Sequence, residues 1–302
     1  MAARADAIRA RVLRGIALNR TPGLHFPGNF LDVSFDRVAR EGSRLAIAPG
    51  PWCTHADGTV DFAAIALLSD LGLAASIRAN LARETRLATV SLHLQFTGVP
   101  AKGRLRADGE FQGFQRQGAG RLGLTRVSVS GAKGQVCYGT GSFMALLPPK
   151  GVTLHPVPHR KFGRPEPAKL APAALDAQER RILARADAAL AARGDFIGGF
   201  WGVRARNGRA VLENGPHVGN RVGHAQGGIM VALAAASAGS ALPENFRVSG
   251  LSAYYISPGD AKILRAASEI LHQGRLTAVV RTRITGTARR IVLEVVTTHV
   301  AA

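Results

Sequence analysis

Two places in this chain of 302 residues combine residue types that could do chemistry. The first runs from Asn220 to Gly239, NRVGHAQGGIMVALAAASAG, where a polar, glycine-bearing loop feeds into an apolar small-residue run. After Gly228 that run carries no charge and is apolar around its whole circumference, which predicts a helix buried in protein. At roughly ten to twelve residues it is too short to span a bilayer. Gly227 and Gly228 leave the first-turn amides uncovered, and a helix N-terminus with bare N–H groups suits an anion or a polarised carbonyl oxygen. The second place is Asp70, the single acid within FAAIALLSDLGLAASIRANL, residues 62–81. A lone carboxylate on a buried helix costs several kcal/mol unless it is paired or neutral, so a chemical role explains it better than packing does.

The chain around these places is long enough for two domains, and 46% hydrophobic content supports a large core. With 6% aromatics and 35 glycines, the interior must be built from small and aliphatic side chains. The formal net charge of +19 raises the question of nucleic acid. The charge is spread along the chain, its densest piece being His159 to Arg164, and neither interleaved aromatics nor a recognition motif accompanies it; no nucleic-acid partner is expected. Cys53 and Cys137 fit neither a disulfide framework nor a metal motif, and His55, His93, His217 and His224 show no metal-binding spacing, so no metal is expected. The N-terminal segment has charges interrupting every apolar run and lacks a signal-peptide core. A cytoplasmic protein without a membrane partner is the expectation. No Ser-His-Asp order, phosphate loop or dinucleotide fingerprint is present.

Periodicity predicts an amphipathic helix over residues 2–18, a hairpin within 28–49 about Glu41-Gly42, the buried helix of 62–81, and strands near 88–97, 103–114, 121–130 and 135–147. Residues 148–172 hold seven of the fifteen prolines and read as a linker. A helix over about 173–192 then opens a second half with the same order of elements. Gly28-Asn-Phe-Leu-Asp-Val answers Gly198-Gly-Phe-Trp-Gly-Val at an offset of 198 − 28 = 170. Setting His55 opposite Asn220, at 220 − 55 = 165, places Asp61 opposite Gln226 and Asp70 opposite Ala235. The chain reads as an internal duplication: residues 1–148, a basic linker over 149–172, and residues 173–302.

Each half, a long central helix wrapped by an antiparallel sheet, resembles the hotdog fold, which gives an α+β double hotdog. The helix entrance resembles acyl-CoA thioesterases of the phenylacetate-pathway type. In that family an Asn, five intervening residues and His-Gly-Gly begin the helix, and an acid nine positions after the His is base or nucleophile. Here the set is split. Asn220 and Gln226-Gly227-Gly228 hold the spacing with Gln for His, but Ala235 stands at the acid position; the first half lacks Gly-Gly and has Asp70 there. The resemblance implies one composite site in which Asp70 faces Asn220, Gln226 and Gly227, with Gly228 and His224 touching substrate and Thr89 orienting water. Asn220 as a turn or cap residue, Gln226 as a plain helix cap and Thr89 as an ordinary strand residue are the alternative readings. The opposite combination, Ala235 with His55 and Asp61, would be dead.

Coenzyme A would enter as part of an acyl-CoA substrate, and no separate cofactor is implied. The rival within the fold is a non-catalytic acyl-thioester binder. Because two hotdogs in one chain already form the basic pair, further association is expected to be of whole chains, as a homo-oligomer. Light scattering should return more than one chain per particle, and a mass of one chain would contradict it.

Overall fold

The computed structural model describes residues 2–82, 84–115, 120–156, 167, 169–192 and 194–302. The basic piece His159 to Arg164, and with it the middle of the expected linker, lies outside the described residues.

The first half runs α1 (Ala2–Asn19), α2 (Phe26–Phe30), β1 (Ser34–Val38), β2 (Gly42–Ile47), α3 (Phe62–Arg78), β3 (Arg86–Phe96), β4 (Leu105–Gln115), β5 (Arg121–Gly131) and β6 (Gly134–Leu146). The second repeats it as α4 (Ala177–Ala191), α5 (Phe196–Trp201), β7 (Arg204–Arg206), β8 (Arg209–Glu213), α6 (Gly227–Gly239), β9 (Phe246–Tyr255), β10 (Ile263–Gln273), β11 (Thr277–Thr285) and β12 (Ile291–Ala301). The expected hairpin begins only at Ser34. The residues before it form α2 because Pro27 sits in the first turn and the His25 ring accepts a hydrogen bond from the Gly28 amide, capping a helix where alternation alone suggested extended chain. No described helix is long and apolar enough to cross a membrane.

The described strands join one 12-stranded antiparallel sheet in the order β1-β2-β4-β5-β6-β3-β9-β12-β11-β10-β8-β7. Read from the two ends, this order is the same topology twice, meeting at β3 and β9. Their register pairs Ser91 with Tyr254 and Gln95 with Gly250. Adding 159 to Ser91 gives Gly250 and subtracting it from Tyr254 gives Gln95, so each pair is the image of the other and the two halves are related by a pseudo-twofold axis through this junction. On the helical side Phe26, Phe30, Phe196 and Phe200 meet across the halves, with Phe30 and Phe200 ring centroids 5.0 Å apart. These are the phenylalanines of the repeated glycine-bearing motif, since 200 − 30 = 170.

The sheet wraps α3 and α6, which touch each other. Apart from Asp70, a few serines and Arg78 at the end of α3, these helices are apolar throughout, as they must be with strands on one side and a helix on another. The contact is closest at Gly228, where an added Cβ would lie 2.7 Å from the Ala66 carbonyl and from Leu67 Cα. Both are backbone and cannot swing aside. Gly228→Ala is therefore expected to lower stability by about 2 to 3 kcal/mol in a denaturant titration; an unchanged midpoint would mean the two helices can slide apart freely.

Candidate active site

The chain enters α6 through Gln226, whose backbone is extended and whose side chain caps the helix by accepting from the Ile229 amide at 3.0 Å. That bond commits Oε1, so Nε2 is the atom left to face outward, and it donates to Asp70 Oδ2 at 2.6 Å. Gln226 is thus the helix cap and also the partner of the carboxylate. The other carboxylate oxygen, Oδ1, accepts from Thr89 Oγ1 on β3 at 3.3 Å. Asp70 comes from the first half and Gln226 from the second, and side chains 156 positions apart meet because α3 and α6 lie against each other.

Asp70 is 6% exposed. Burial raises its pKa from the ordinary 3.8 to about 6, against the hydrogen bonds of Thr89 and Gln226 and the nearby Gly228 amide, which favour the charged form. The carboxylate is therefore ionised at neutral pH, yet basic enough to accept a proton. Gly227 lies over it: a Cβ there would come within 3.1 Å of Asp70 Oδ2 and 3.2 Å of the Tyr255 hydroxyl, so only glycine leaves the approach open. The Gly227 amide, first in the helix, makes no hydrogen bond among the described residues. Its carbonyl accepts from Tyr255 Oη at 2.9 Å, which fixes the orientation of the Gly227-Gly228 peptide.

Asp70, Thr89, Asn220, Gln226 and Gly227 line one chamber of about 100 Å³. Asn220 builds its loop, with Oδ1 accepting from the amides of Val222 (2.9 Å) and His224 (3.1 Å). The other two expected site residues sit outside the lining: Gly228 packs on α3, and the His224 ring stands 3.4 Å from Arg86 Nη2. Sequence reasoning missed Tyr255, Arg78, Arg221 and His25. For Tyr255 a signal existed, because its partner in the duplication is Phe96 (255 − 96 = 159), so a hydroxyl distinguishes the two copies.

Residues 216–301 match the family described as the acyl-CoA thioesterase N-terminal domain. Over those residues the C-terminal hotdog is similar to a thioesterase domain. No curated protein matches the chain. Among solved structures, a protein assigned as an oleoyl thioesterase from Lactobacillus plantarum is 9% identical over 85% of this chain and 95% of its own, with a TM-score of 0.55. One assigned as a thioesterase from Novosphingobium aromaticivorans is 16% identical over 89% and 98%, with a TM-score of 0.52. At such identities these likenesses speak for the fold: both halves together form a double hotdog, the architecture of those structures. Thioester hydrolysis is the class of reaction that comes with the thioesterase domain.

The pseudo-twofold places a second locus opposite the Asp70 chamber, and the duplication offsets name its residues. Ala235 stands for Asp70 and Phe62 for Gly227 (235 − 70 = 227 − 62 = 165), while Val248 stands for Thr89 (248 − 89 = 159). All three line a cavity of about 550 Å³ with Asp61, His55 and Phe96. Asp61 caps α3 by accepting from the Ala63 amide, and the Phe62 ring packs on Phe96 where its counterparts, Gly227 and Tyr255, are hydrogen-bonded. This locus has apolar side chains where the Asp70 chamber has its carboxylate, its hydroxyl and its open amide.

Because the folded pKa of Asp70 lies above its unfolded value, the folded state holds this proton more tightly, and stability from this group declines as pH rises from about 4 to about 6. An Asn at this position does not titrate. Between pH 4 and pH 8 the stability of Asp70→Asn relative to wild type should therefore shift by about 2 kcal/mol in favour of the variant. Parallel denaturation curves at the two pH values check this, and a constant difference would contradict the raised pKa.

Proposed function

We propose that the protein hydrolyses acyl-CoA thioesters at a single composite site formed by Asp70 and Thr89 of the first half and Gln226 and Gly227 of the second. The observation that carries the reading is the pair of contacts on Asp70. One oxygen is tied to Gln226, and the other faces Thr89 at the looser distance of 3.3 Å, on the lining of the chamber.

In this mechanism the thioester carbonyl oxygen takes the Gly227 amide at the positive end of α6, and a water sits between the carbonyl carbon and Asp70 Oδ1, oriented by Thr89. Asp70 removes a proton as water oxygen bonds to carbon, and the oxyanion develops at the amide, a contribution of about 3 to 4 kcal/mol for one such donor. Collapse breaks the carbon–sulfur bond, and the proton on Asp70 passes to the departing thiolate. The products are a carboxylic acid and coenzyme A. Tyr255 supports the step by fixing the peptide that follows the donor amide, and the basic surface attracts the coenzyme's phosphates.

Thiol release across a panel of acyl-CoAs tests the reading. Asp70→Asn should lower turnover by about 10²- to 10⁴-fold while the protein stays folded, and Asp61→Asn should change little. A folded wild type that binds acyl-CoA but releases no thiol would make it a binder instead. The acid limb of kcat/KM should rise through about pH 6 and level off above it, following ionisation of Asp70. Gln226→Ala, which removes a donor to the charged form, should move that limb upward by about one pH unit; an unmoved limb would mean that another group is the base.

A further inference from the structure

The chamber at Asp70 continues into an apolar arm of about 60 Å³ lined by Leu24, Phe35, Val38, Leu71 and Ala74. Arg78, Arg221 and His25 belong to the walls of both. Arg78 Nη1 donates to the Thr85 carbonyl at 3.0 Å, and Arg221 donates to the carbonyl of His155. Among the described residues neither guanidinium is paired with a carboxylate. Burial and then repulsion from Arg221 pull Arg78 down to about 10, and burial lowers Arg221; a guanidinium keeps its charge at neutral pH. The His25 ring accepts from Gly28 through Nδ1, which puts its proton on Nε2 and makes a third donor. Asp70 is the one acid on either wall, and neither arginine is hydrogen-bonded or ion-paired to it among the described residues.

Arg86 also lines the Asp70 chamber but not the apolar arm, with its guanidinium against the His224 ring; a half-buried space that adds to it the guanidinium groups of Arg78 and Arg221 and a neutral imidazole donor calls for an acceptor-rich anion. The phosphates of coenzyme A are separated from the thioester by the whole pantetheine arm, whereas these arginines share a chamber of about 100 Å³ with Asp70. Arg78 follows Asp70 by two helical turns, about 12 Å along α3, with Leu71 and Ala74 between them. Less the reach of the two side chains, that span suits a few methylenes. Resting on the hydrolase reading above, we infer that Arg78 and Arg221 hold a carboxylate at the far end of the acyl group, so that the preferred substrates are monothioesters of short dicarboxylic acids.

The test compares adipyl with hexanoyl, equal in length and differing in the terminal carboxylate, each as the CoA thioester and as the N-acetylcysteamine thioester, which has no phosphate. Wild type should favour adipyl by about 10- to 100-fold in kcat/KM on both carriers, the range expected of a charge-assisted hydrogen-bonded pair. Arg221→Gln and Arg78→Gln should bring the ratio toward one, and Arg78→Lys should retain part of it, with thermal melts confirming folding. A wild-type ratio near one overturns the inference without any variant. It also falls if the variants slow both CoA thioesters equally and spare both N-acetylcysteamine thioesters, because the arginines would then serve the phosphates. If folded wild type hydrolyses none of the four, the hydrolase reading fails, and calorimetry decides the subsite: adipate should bind in preference to hexanoate, Arg221→Gln should remove the preference, and equal binding refutes the inference.

Discussion

The arrangement depends on how closely two helices approach. With no side chain at Gly228, the first turn of α6 lies directly on the backbone of Ala66 and Leu67, and Asp70 is one turn further along α3. Any larger residue would hold the helices apart, and the 2.6 Å bond between Gln226 and Asp70 could not form. The pairing of β3 with β9 sets the same relation from the other side, because it fixes how the two wrapped helices face each other. Helix contact and strand register therefore specify one geometry between them, and the site inherits its definition from both.

That geometry makes a buried carboxylate tolerable. Taken alone, Asp70 would be costly on a helix otherwise built from alanine, leucine and isoleucine. Two side-chain donors and a helix N-terminus reduce the cost without removing it, and what remains holds the pKa up at about 6. The same residual cost makes the group basic enough to take a proton. Contrast the two buried cysteines: burial pushes Cys53 and Cys137 up to about 11 and about 12, with no comparable set of donors, leaving them as neutral packing residues.

Much of the fold was legible in the sequence because its signals are local. Alternation marked the strands, and all-round apolarity marked α3 and α6. Asp70 could be picked out because it contradicts its own surroundings, and Gln226-Gly227-Gly228 because it precedes a run that could only be a buried helix. Other features were not legible because they belong to the assembled sheet. Arg78 and Arg221 look like any of the chain's 39 lysines and arginines until α3 and the loop that enters α6 bring them to the cavity beside Asp70. His224, close to the helix entrance in sequence, faces Arg86 instead, because Asn220 ties its loop into a tight turn. The short helices α2 and α5 escaped because a single capped turn leaves too few residues for a periodic pattern.

The mirrored order of the strands has one more consequence. In a symmetric pair of separate hotdog chains every substitution would appear at both helix contacts, so the strain of a buried acid would be borne twice and neither entrance could change alone. Joining the two copies in one polypeptide lifts that restriction. Ala235 and Val248 fill with hydrocarbon the places where a second carboxylate and hydroxyl would have stood, and Phe62 and Phe96 pack where the other copy keeps an open amide and a tyrosine. One half of the molecular interface was thereby released from holding a buried acid on its helix, while the other kept its unfavourable charge.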